Sequence, residues 1–273
     1  MKFESRYSDE LEAAQEAARK AGKVIDRYRR KGADIDGRKK SYNDIVTEAD
    51  IEAQRKVVEV LRTRFPADAI KAEENSLAED HSDRVWVVDP IDGTTNFFHG
   101  LESFCVSIGL RIGSENVLGV IHAPETGRDV SYIGLKGDGA YRLDDIEDST
   151  GERLSASRQE MQGSLFTCYV RDGESEKREV QIAIIEELAS REMVHRARGS
   201  AALDIAGIAE GKTEVLVDYL GEWDYAAGKA ILEEAGGELD ALETDTDQVL
   251  AVASSGEFHD EVRELVEDAL ERF

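Results

Sequence analysis

The sequence is poor in cysteine and has no long apolar run. Two cysteines among 273 residues cannot build a disulfide framework. Cys105 and Cys168 each lie inside an apolar segment, so we expect buried free thiols in a reducing compartment. No apolar run approaches the roughly 20 residues that span a membrane, and the opening MKFESRYSDE does not resemble a signal peptide. We therefore expect a soluble cytoplasmic protein without a membrane partner.

Basic residues are also scarce relative to acidic ones. The 34 lysines and arginines face 59 aspartates and glutamates, which gives a formal net charge of −25. This charge is spread over the whole chain, and it argues against nucleic acid as a partner. Long periodic apolar segments argue against disorder. Such a composition is typical of proteins from salt-loving organisms, in which salt screens the repulsion, so we expect a halophilic protein.

Apolar periodicity predicts two helices and then a run of strands in the first half of the chain. The helices should cover about 9–32 and 49–64, the second ending before Pro66. The strands that follow are separated by turn residues, which predicts an antiparallel meander. Their sequences are AIKAEE, VWVVD, FCVSIGLRI, NVLGVIHAP, DVSYIGLK and GAYRL.

Beyond residue 147 strands alternate with helices, which predicts an α/β layer. The strands are LFTCYV, VHRARG, TEVLVDY, GELD and VLAVASS, and the helices should cover about 174–190, 200–210, 223–235 and 258–271. We therefore expect two domains, an N-terminal α+β domain over 1–147 and a C-terminal α/β domain over 148–273. Proline, glycine and serine do not cluster at the boundary, so no flexible linker is expected.

Residues 86–100, WVVDPIDGTTNFFHG, place two carboxylates at the end of an apolar strand. Pro90 disfavours helix at Asp89, Gly93 permits unusual backbone angles, and the next residues can open a helix. A helix N-terminus attracts anions, and two carboxylates beside an anion need a cation between them. Mg²⁺ would fit, bridging the carboxylates to phosphate oxygens. The alternative is structural, with Asp92 as an N-cap and Asp89 as a turn former.

Further carboxylates follow the same pattern of positions at element ends. Glu73 and Glu74 end the segment AIKAEE, Asp50 lies in NDIVTEAD at the start of the second helix, and Asp224 opens the helix of EWDYAAGKAILEEAGG. Each has a plain structural alternative. The glutamates could be a solvated pair, and Asp224 could be an N-cap.

Taken together, five motifs resemble the inositol monophosphatase family, whose superfamily includes fructose-1,6-bisphosphatases and 3′-phosphoadenosine-5′-phosphate phosphatases. The motifs are DIVTEAD, AEEN, WVVDPIDGTTNFFHG, RARGSAALDIAGIAEGK and EWDYAAGKAILEEAGG, and the resemblance covers about residues 39–237. It implies a fold of the α+β and α/β classes, a layered αβαβα sandwich of the sugar-phosphatase type. It also implies a homodimer.

The resemblance further implies a metal site for two or three Mg²⁺ ions. Glu73, Asp89 and the carbonyl group of Ile91 would hold one ion. Asp89, Asp92 and Asp224 would hold a second, and a third, weaker site would again use Glu73.

Roles in catalysis and substrate binding follow from the same resemblance. Thr94, with Glu73 and Asp50, would orient and deprotonate the attacking water. The substrate-binding residues would be Asp92, Gly93, Thr94, Gly199, Ser200, Ala201, Asp218 and Asp224. Among them, the N–H groups of Gly93 and Thr94 would hold the phosphate. The spacing from Asp218 to Asp224 is one residue shorter than in the animal enzymes, so Asp218 matches the family pattern only approximately.

The function implied is a Mg²⁺-dependent phosphoric monoester hydrolase that uses metal-activated water. Its substrate would be inositol 1-phosphate, fructose 1,6-bisphosphate or both, since related archaeal enzymes hydrolyse both. An alternative within the enzyme class is a 3′-phosphoadenosine-5′-phosphate phosphatase. An alternative of another class is a non-catalytic protein that binds a phosphorylated metabolite.

Overall fold

The computed structural model describes residues 5–30, 37–39, 45–74, 82–124, 130–148, 150–156, 160–170, 175–246 and 248–272. The helices are α1 Ser8–Arg30, α2 Glu48–Arg64, α3 Thr94–Phe98, α4 Ser175–Ser190, α5 Ala201–Ala209, α6 Glu222–Glu234 and α7 His259–Leu270. The strands are β1 Gly37–Lys39, β2 Ile45–Thr47, β3 Ala69–Ala72, β4 Arg84–Asp92, β5 Cys105–Ile112, β6 Glu115–Ala123, β7 Val130–Leu135, β8 Gly139–Leu143, β9 Glu152–Arg153, β10 Leu165–Thr167, β11 Val194–Arg196, β12 Val215–Leu220, β13 Glu238–Leu242 and β14 Val249–Ser254.

The predicted helices are all present, and their bounds follow local signals. Helix α2 begins one residue earlier than predicted because Thr47 caps it: the Thr47 side chain accepts from the N–H of Asp50, and the Asp50 side chain accepts from the N–H of Thr47. Helix α1 extends to Arg30, and its predicted last residues, 31 and 32, lie outside the described residues.

The larger sheet has seven strands in the order β3-β4-β5-β6-β7-β8-β9. From β4 to β9 each neighbouring pair is antiparallel, so the predicted meander is confirmed over this part. The prediction was wrong for the first strand, because β3 pairs parallel to β4. A parallel pair needs a crossover rather than a tight turn, and the connection includes residues 75–81, outside the described part.

The second sheet has five strands in the order β11-β10-β12-β14-β13. Strands β11, β10 and β12 are parallel, whereas β14 runs antiparallel to both of its neighbours. This mixed sheet, with its interleaved helices, is the α/β layer that the sequence predicts. Strands β1 and β2, which were not predicted, pair antiparallel before α2.

The elements stack in five layers. Helices α1 and α2 pack on one face of the larger sheet, and α5 and α6 pack on its other face. The second sheet covers the far side of α5 and α6, and its own outer face is covered by α4 and α7. This is the predicted αβαβα sandwich. Both cysteines are buried and free, also as predicted.

Helix α6 lies unusually close to the larger sheet. Gly109, Gly119 and Gly134 are register partners on three adjacent strands and form a row across the sheet. A Cβ added at Gly119 would lie 2.1 Å from the carbonyl oxygen of Ala227, and one at Gly134 would lie 2.6 Å from the Cα of Ile231. These side-chain-free positions allow close backbone approach. They let the N-terminus of α6, which carries Asp224, come close to the end of β4.

The hydrophobic core crosses the predicted boundary near residue 147. One buried cluster joins Cys105 and Ile121 of the larger sheet to Ile205 and Leu216 of the second half. The division into domains 1–147 and 148–273 stays a prediction. Within the described residues, no helix is both long and apolar enough to cross a membrane.

Candidate active site

The site is built around an irregularity in β4. Asp89 pairs with Ser107 and Asp92 pairs with Cys105, so β4 advances three residues while β5 advances two. In a regular strand, residues three positions apart point to opposite faces. The extra residue is a β-bulge, and it brings both aspartates to the same side. The segment VWVVD predicted that the strand ends at Asp89. In the structure it continues to Asp92.

Three carboxylates meet at this point. Asp89, Asp92 and Asp224 each offer an oxygen atom, and these atoms lie within 4.8 Å of one another. Each side chain is held by a hydrogen bond from nearby backbone. The N–H of Ile91 donates to Asp89 Oδ1 at 2.9 Å, and the N–H of Gly221 donates to Asp224 Oδ2 at 2.7 Å.

Asp92 is the most firmly held of the three. Its Oδ2 accepts from the Ser200 hydroxyl at 2.5 Å and from the N–H of Ala202 at 2.8 Å. The Cys105 thiol lies 3.8 Å from the same oxygen. Ser200 is also the N-cap of α5, where its side chain accepts from the N–H of Leu203. The start of α5 thus fixes the orientation of Asp92.

Burial and mutual repulsion make this cluster electrostatically costly. Asp89 is 2% exposed and Asp92 is 7% exposed. Burial, with the charges of Glu73 and Asp92, raises the pKa of Asp89 well above its usual value. Burial, with the charge of Asp224, raises the pKa of Asp92 to about 7, although hydrogen bonds from Ser200 and Ala202 lower it. The ionised forms of Asp89 and Asp92 are therefore destabilised.

The cluster fits a hard divalent cation. In the part of the chain that the structure describes, no lysine or arginine forms an ion pair with Asp89 or Asp92. Buried charges in proteins are paired or coordinate metals, and an all-oxygen donor set suits Mg²⁺. Asp89, Asp92 and Asp224 could therefore hold such an ion. Glu73 lies near enough to raise the pKa of Asp89 but is not part of this group of three.

A second group of polar side chains joins α2 to the turn after β4. Thr94 Oγ1 lies 2.9 Å from Asp50 Oδ1 and 2.8 Å from the carbonyl oxygen of Ile91. Asp50 Oδ2 accepts from the N–H of Thr47 at 2.8 Å and from its hydroxyl. Burial raises the pKa of Asp50 to about 6, although the hydrogen bonds from Thr47 and Thr94 oppose this. Asp50 thus anchors the Thr94 hydroxyl.

The segment 198–200 lies against the turn at Gly93. Gly93 has φ 90°, and a Cβ there would lie 3.1 Å from the carbonyl oxygen of Gly199. Asn96 Nδ2 donates to the carbonyl oxygens of Ser103 at 2.8 Å and Arg198 at 2.7 Å. The structure therefore brings the predicted residues Gly93, Gly199 and Ser200 together. The predicted residue Ala201 begins α5 beside them and is buried.

Asp218 occupies a different environment from the other predicted residues. It lies within β12 with 0% exposure, and its Oδ1 accepts from Gln181 Nε2 at 2.7 Å. A substrate hydroxyl would have to reach a covered carboxylate that is already engaged. Its role in substrate binding stays a prediction.

Sequence reasoning missed several residues that hold the site. Thr47 supports Asp50, and its signal was available, since Thr47 and Asp50 have the spacing of a capping box. Asn96 and Gln54 gave no local signal. The Gln54 amide accepts from the N–H of Glu74 at 2.9 Å and donates to its carbonyl oxygen, so it fixes the end of β3 by a contact that spans 20 residues.

Comparison with known proteins decides the family. The model of the inositol monophosphatase family matches residues 7–271. The chain belongs to this family. It is 35% identical over 242 residues to the fructose-1,6-bisphosphatase/inositol-1-monophosphatase of Thermotoga maritima, covering 86% of this chain and 87% of that protein. It is 36% identical to the Nus factor SuhB of Haemophilus influenzae, covering 83% of each chain.

The fold of the family is also observed in solved structures. An IMPase of Thermotoga maritima superimposes with a TM-score of 0.80 at 32% identity, covering 97% of this chain and 99% of that one. Membership of the inositol monophosphatase family confirms the predicted family, the layered fold and the enzyme class, a phosphatase. The roles of individual site residues stay predictions.

Proposed function

We propose that this protein hydrolyses phosphate monoesters of sugars or polyols, with inositol 1-phosphate and fructose 1,6-bisphosphate as substrates. The observation that carries the proposal is the convergence of Asp89, Asp92 and Asp224, of which Asp89 and Asp92 form no ion pair with a lysine or arginine among the described residues. The name of the Thermotoga maritima relative, which combines both activities, supports the choice of substrates.

Two or three Mg²⁺ ions belong to the proposal. Asp89, Asp92 and Asp224 would hold one ion, and Glu73, Asp89 and the Ile91 carbonyl group would hold another. Bound there, Mg²⁺ would neutralise the phosphate oxygens, lower the pKa of a water molecule and stabilise the leaving alkoxide.

The chain's own groups orient the reactants. When Thr94 donates its single proton to Asp50, its lone pairs are free to accept a hydrogen bond from water. Asp50 and Glu73 are the nearby carboxylates that take up the proton of that water. The N–H groups of Gly93 and Thr94 hold the phosphate, and residues 199–201 contact the hydroxyl groups of the substrate.

The proposal extends to the setting of the enzyme. We place it in the cytoplasm of a salt-loving organism, as a homodimer. The two free buried cysteines support the reducing compartment, and the net charge of −25 supports the salt-loving source. The homodimer is what the family resemblance implies.

A phosphate-release assay tests the proposal. Wild-type protein is incubated with inositol 1-phosphate, fructose 1,6-bisphosphate and 3′-phosphoadenosine-5′-phosphate, with Mg²⁺ or with EDTA. We expect release from the first two only, and only with Mg²⁺. Preference for the nucleotide would replace the substrate class, whereas binding of all three without release would favour a non-catalytic binding protein.

A further inference from the structure

The segment 198–200, which faces the turn at Gly93, is connected by hydrogen bonds to a buried carboxylate. Asp204 of α5 is 1% exposed. Its Oδ2 accepts from the hydroxyl of Tyr169, and its Oδ1 accepts from Arg198 Nε at 2.6 Å. The Tyr169 oxygen in turn accepts from the N–H of Gly199 at 2.7 Å. Carboxylate, phenol and peptide thus form a continuous chain of hydrogen bonds.

This chain of hydrogen bonds restrains an exposed glycine in the middle of the segment 198–200. Gly199 is exposed and has φ 86°, a conformation that glycine can leave at low cost. Asn96 holds the preceding carbonyl group, that of Arg198, and Ser200 is held by its bond to Asp92. The Tyr169 hydroxyl is the group that holds the N–H of Gly199 between these two anchors.

We propose that Tyr169 and Asp204 are positioning residues that orient the Gly199 peptide for recognition of the hydroxyl groups of the substrate. The inference rests on the proposed function, because it takes residues 199–201 as the hydroxyl-binding segment. It adds that selectivity for a polyol ester depends on the half-buried Tyr169 and the buried Asp204. Neither residue is hydrogen-bonded to the three clustered aspartates, but the charge of Asp204 acts on Asp92.

The chain offers a matched control for this role. Tyr132 also donates its hydroxyl to a carboxylate next to α5, Glu210 Oε2, at 3.0 Å. Burial and the adjacent carboxylate raise the pKa of Tyr132 and of Tyr169 alike. Glu210, however, is the C-cap of α5, at the opposite end of the helix from Gly199. Tyr132→Phe and Tyr169→Phe therefore remove similar tyrosine–carboxylate hydrogen bonds. Of the two tyrosines, Tyr169 is the one that is hydrogen-bonded to the segment 198–200.

The test compares ester substrates with and without hydroxyl groups. Kinetic constants are measured for inositol 1-phosphate, fructose 1,6-bisphosphate and p-nitrophenyl phosphate, which has no sugar hydroxyl. Tyr169→Phe should raise KM for the hydroxylated substrates by about 5- to 10-fold, the value of one lost hydrogen bond, and change kcat by less than about 2-fold. Its constants for p-nitrophenyl phosphate, and inhibition by inorganic phosphate, should not change.

The control variants decide between positioning and stability. Tyr132→Phe should leave all constants near wild type while costing similar thermal stability. Asp204→Asn should give the same split between substrates in smaller measure, because an amide oxygen still accepts one of the two bonds. The effect of its lost charge on Asp92 should be common to all substrates and leave the split in place. Equal losses on all substrates, or equal effects of Tyr132→Phe and Tyr169→Phe, would overturn the inference.

Calorimetric titration with inositol 1-phosphate separates this inference from the proposed function. A wild-type chain that binds the ester without hydrolysing it removes the proposed function alone. Equal affinities of wild type and Tyr169→Phe remove the inference alone. If the wild-type chain binds neither hydroxylated ester, both are removed.

Discussion

Two acidic residues in the first turn of α6 have opposite surroundings. Asp224 faces Asp89 and Asp92, and neither of these two has a basic ion-pair partner in the described part of the chain. Glu222 instead accepts from Lys71 Nζ at 2.8 Å and from Arg111 Nε at 2.7 Å. Two cations bind Glu222, whereas the described residues supply none as an ion-pair partner of Asp89 or Asp92.

The pKa values follow this difference. Burial alone would raise the pKa of Glu222, but Lys71 and Arg111 outweigh it and the pKa lies below its usual value. Burial raises the pKa of Asp92 to about 7. Repulsion within a buried carboxylate cluster destabilises the metal-free fold, so the cluster points to a bound ligand and not to a role in stability.

The most severe test of this comparison is Asp92→Asn. An asparagine can still cap a helix, so a purely structural Asp92 would tolerate it. If Asp92 holds a metal, phosphate release should fall by about 10²-fold or more, at least about 3 kcal/mol of transition-state stabilisation. In EDTA the same variant should melt higher than wild type, because one repelling charge is gone. The measurements are Mg²⁺-titrated phosphate release and thermal melts.

Asp224→Asn provides the matching variant on α6. Because either change disables the same ion, the double variant should lose much less activity than the product of the two single losses. Near wild-type release by folded Asp92→Asn at ordinary Mg²⁺ concentration would refute the metal role.

Much of the architecture could be predicted from local sequence. Helix α4 was expected at 174–190 and is Ser175–Ser190, because apolar periodicity and turn residues are local signals. Long-range pairing was not predictable in this way. The parallel pairing of β3 with β4, and the glycine row that admits α6, depend on which strands become neighbours.

The candidate site shows the same division. Asp89 and Asp92 could be recognised from one short motif, but their meeting with Asp224 followed only from the family resemblance. The bulge in β4 explains how two residues of odd spacing share a face. Tyr169 and Asp204 are 35 residues apart, and their contact exists only in the folded chain.

His122 is a third kind of buried titratable group, because a histidine can become neutral and then needs no partner of opposite charge. It is 3% exposed, and its Nδ1 lies 2.9 Å from Ser131 Oγ. Burial lowers its pKa to about 4, although Asp145 opposes this. The unfolded chain therefore binds the proton first. Stability from this group is complete above about pH 6.5 and should fall as the pH drops to about 4, by at most about 3 kcal/mol.

Urea denaturation between pH 4 and pH 7 measures this effect. His122→Gln should flatten the pH dependence in that range whatever its absolute stability. His99→Gln, at an exposed position, is the control and should keep the wild-type slope. An unchanged slope in His122→Gln would remove the assignment to this residue.

Glu222→Gln tests how much the ion pairs of Glu222 contribute to stability. The change leaves Lys71 and Arg111 without their shared carboxylate, whose side chain is only 17% exposed. Allowing for partial solvent screening, we expect a loss of about 1–2 kcal/mol in the free energy of unfolding. Glu59→Gln is the control, because its pair with Lys56 is exposed and its removal should cost much less than the change at Glu222. Equal losses in both variants would contradict the comparison.

Salt should change the repulsion among exposed charges but not the repulsion within the buried carboxylate cluster. We expect this effect on stability to be the smallest of those predicted. The screening length contracts from about 10 Å at 0.1 M salt to about 3 Å at 1 M, so repulsion within the −25 surface should fade over this range. We expect the melting temperature to rise with KCl by about 2–4 °C, near 1 kcal/mol for a chain of this size.

Buried charges are screened much less. In EDTA, the difference in melting temperature between Asp92→Asn and wild type should therefore persist at 1 M KCl. A melting temperature that stays flat or falls with KCl would remove the halophilic interpretation. If the difference between Asp92→Asn and wild type disappears at 1 M KCl, the repulsion at Asp92 is screened by solvent and the carboxylate is not buried as described.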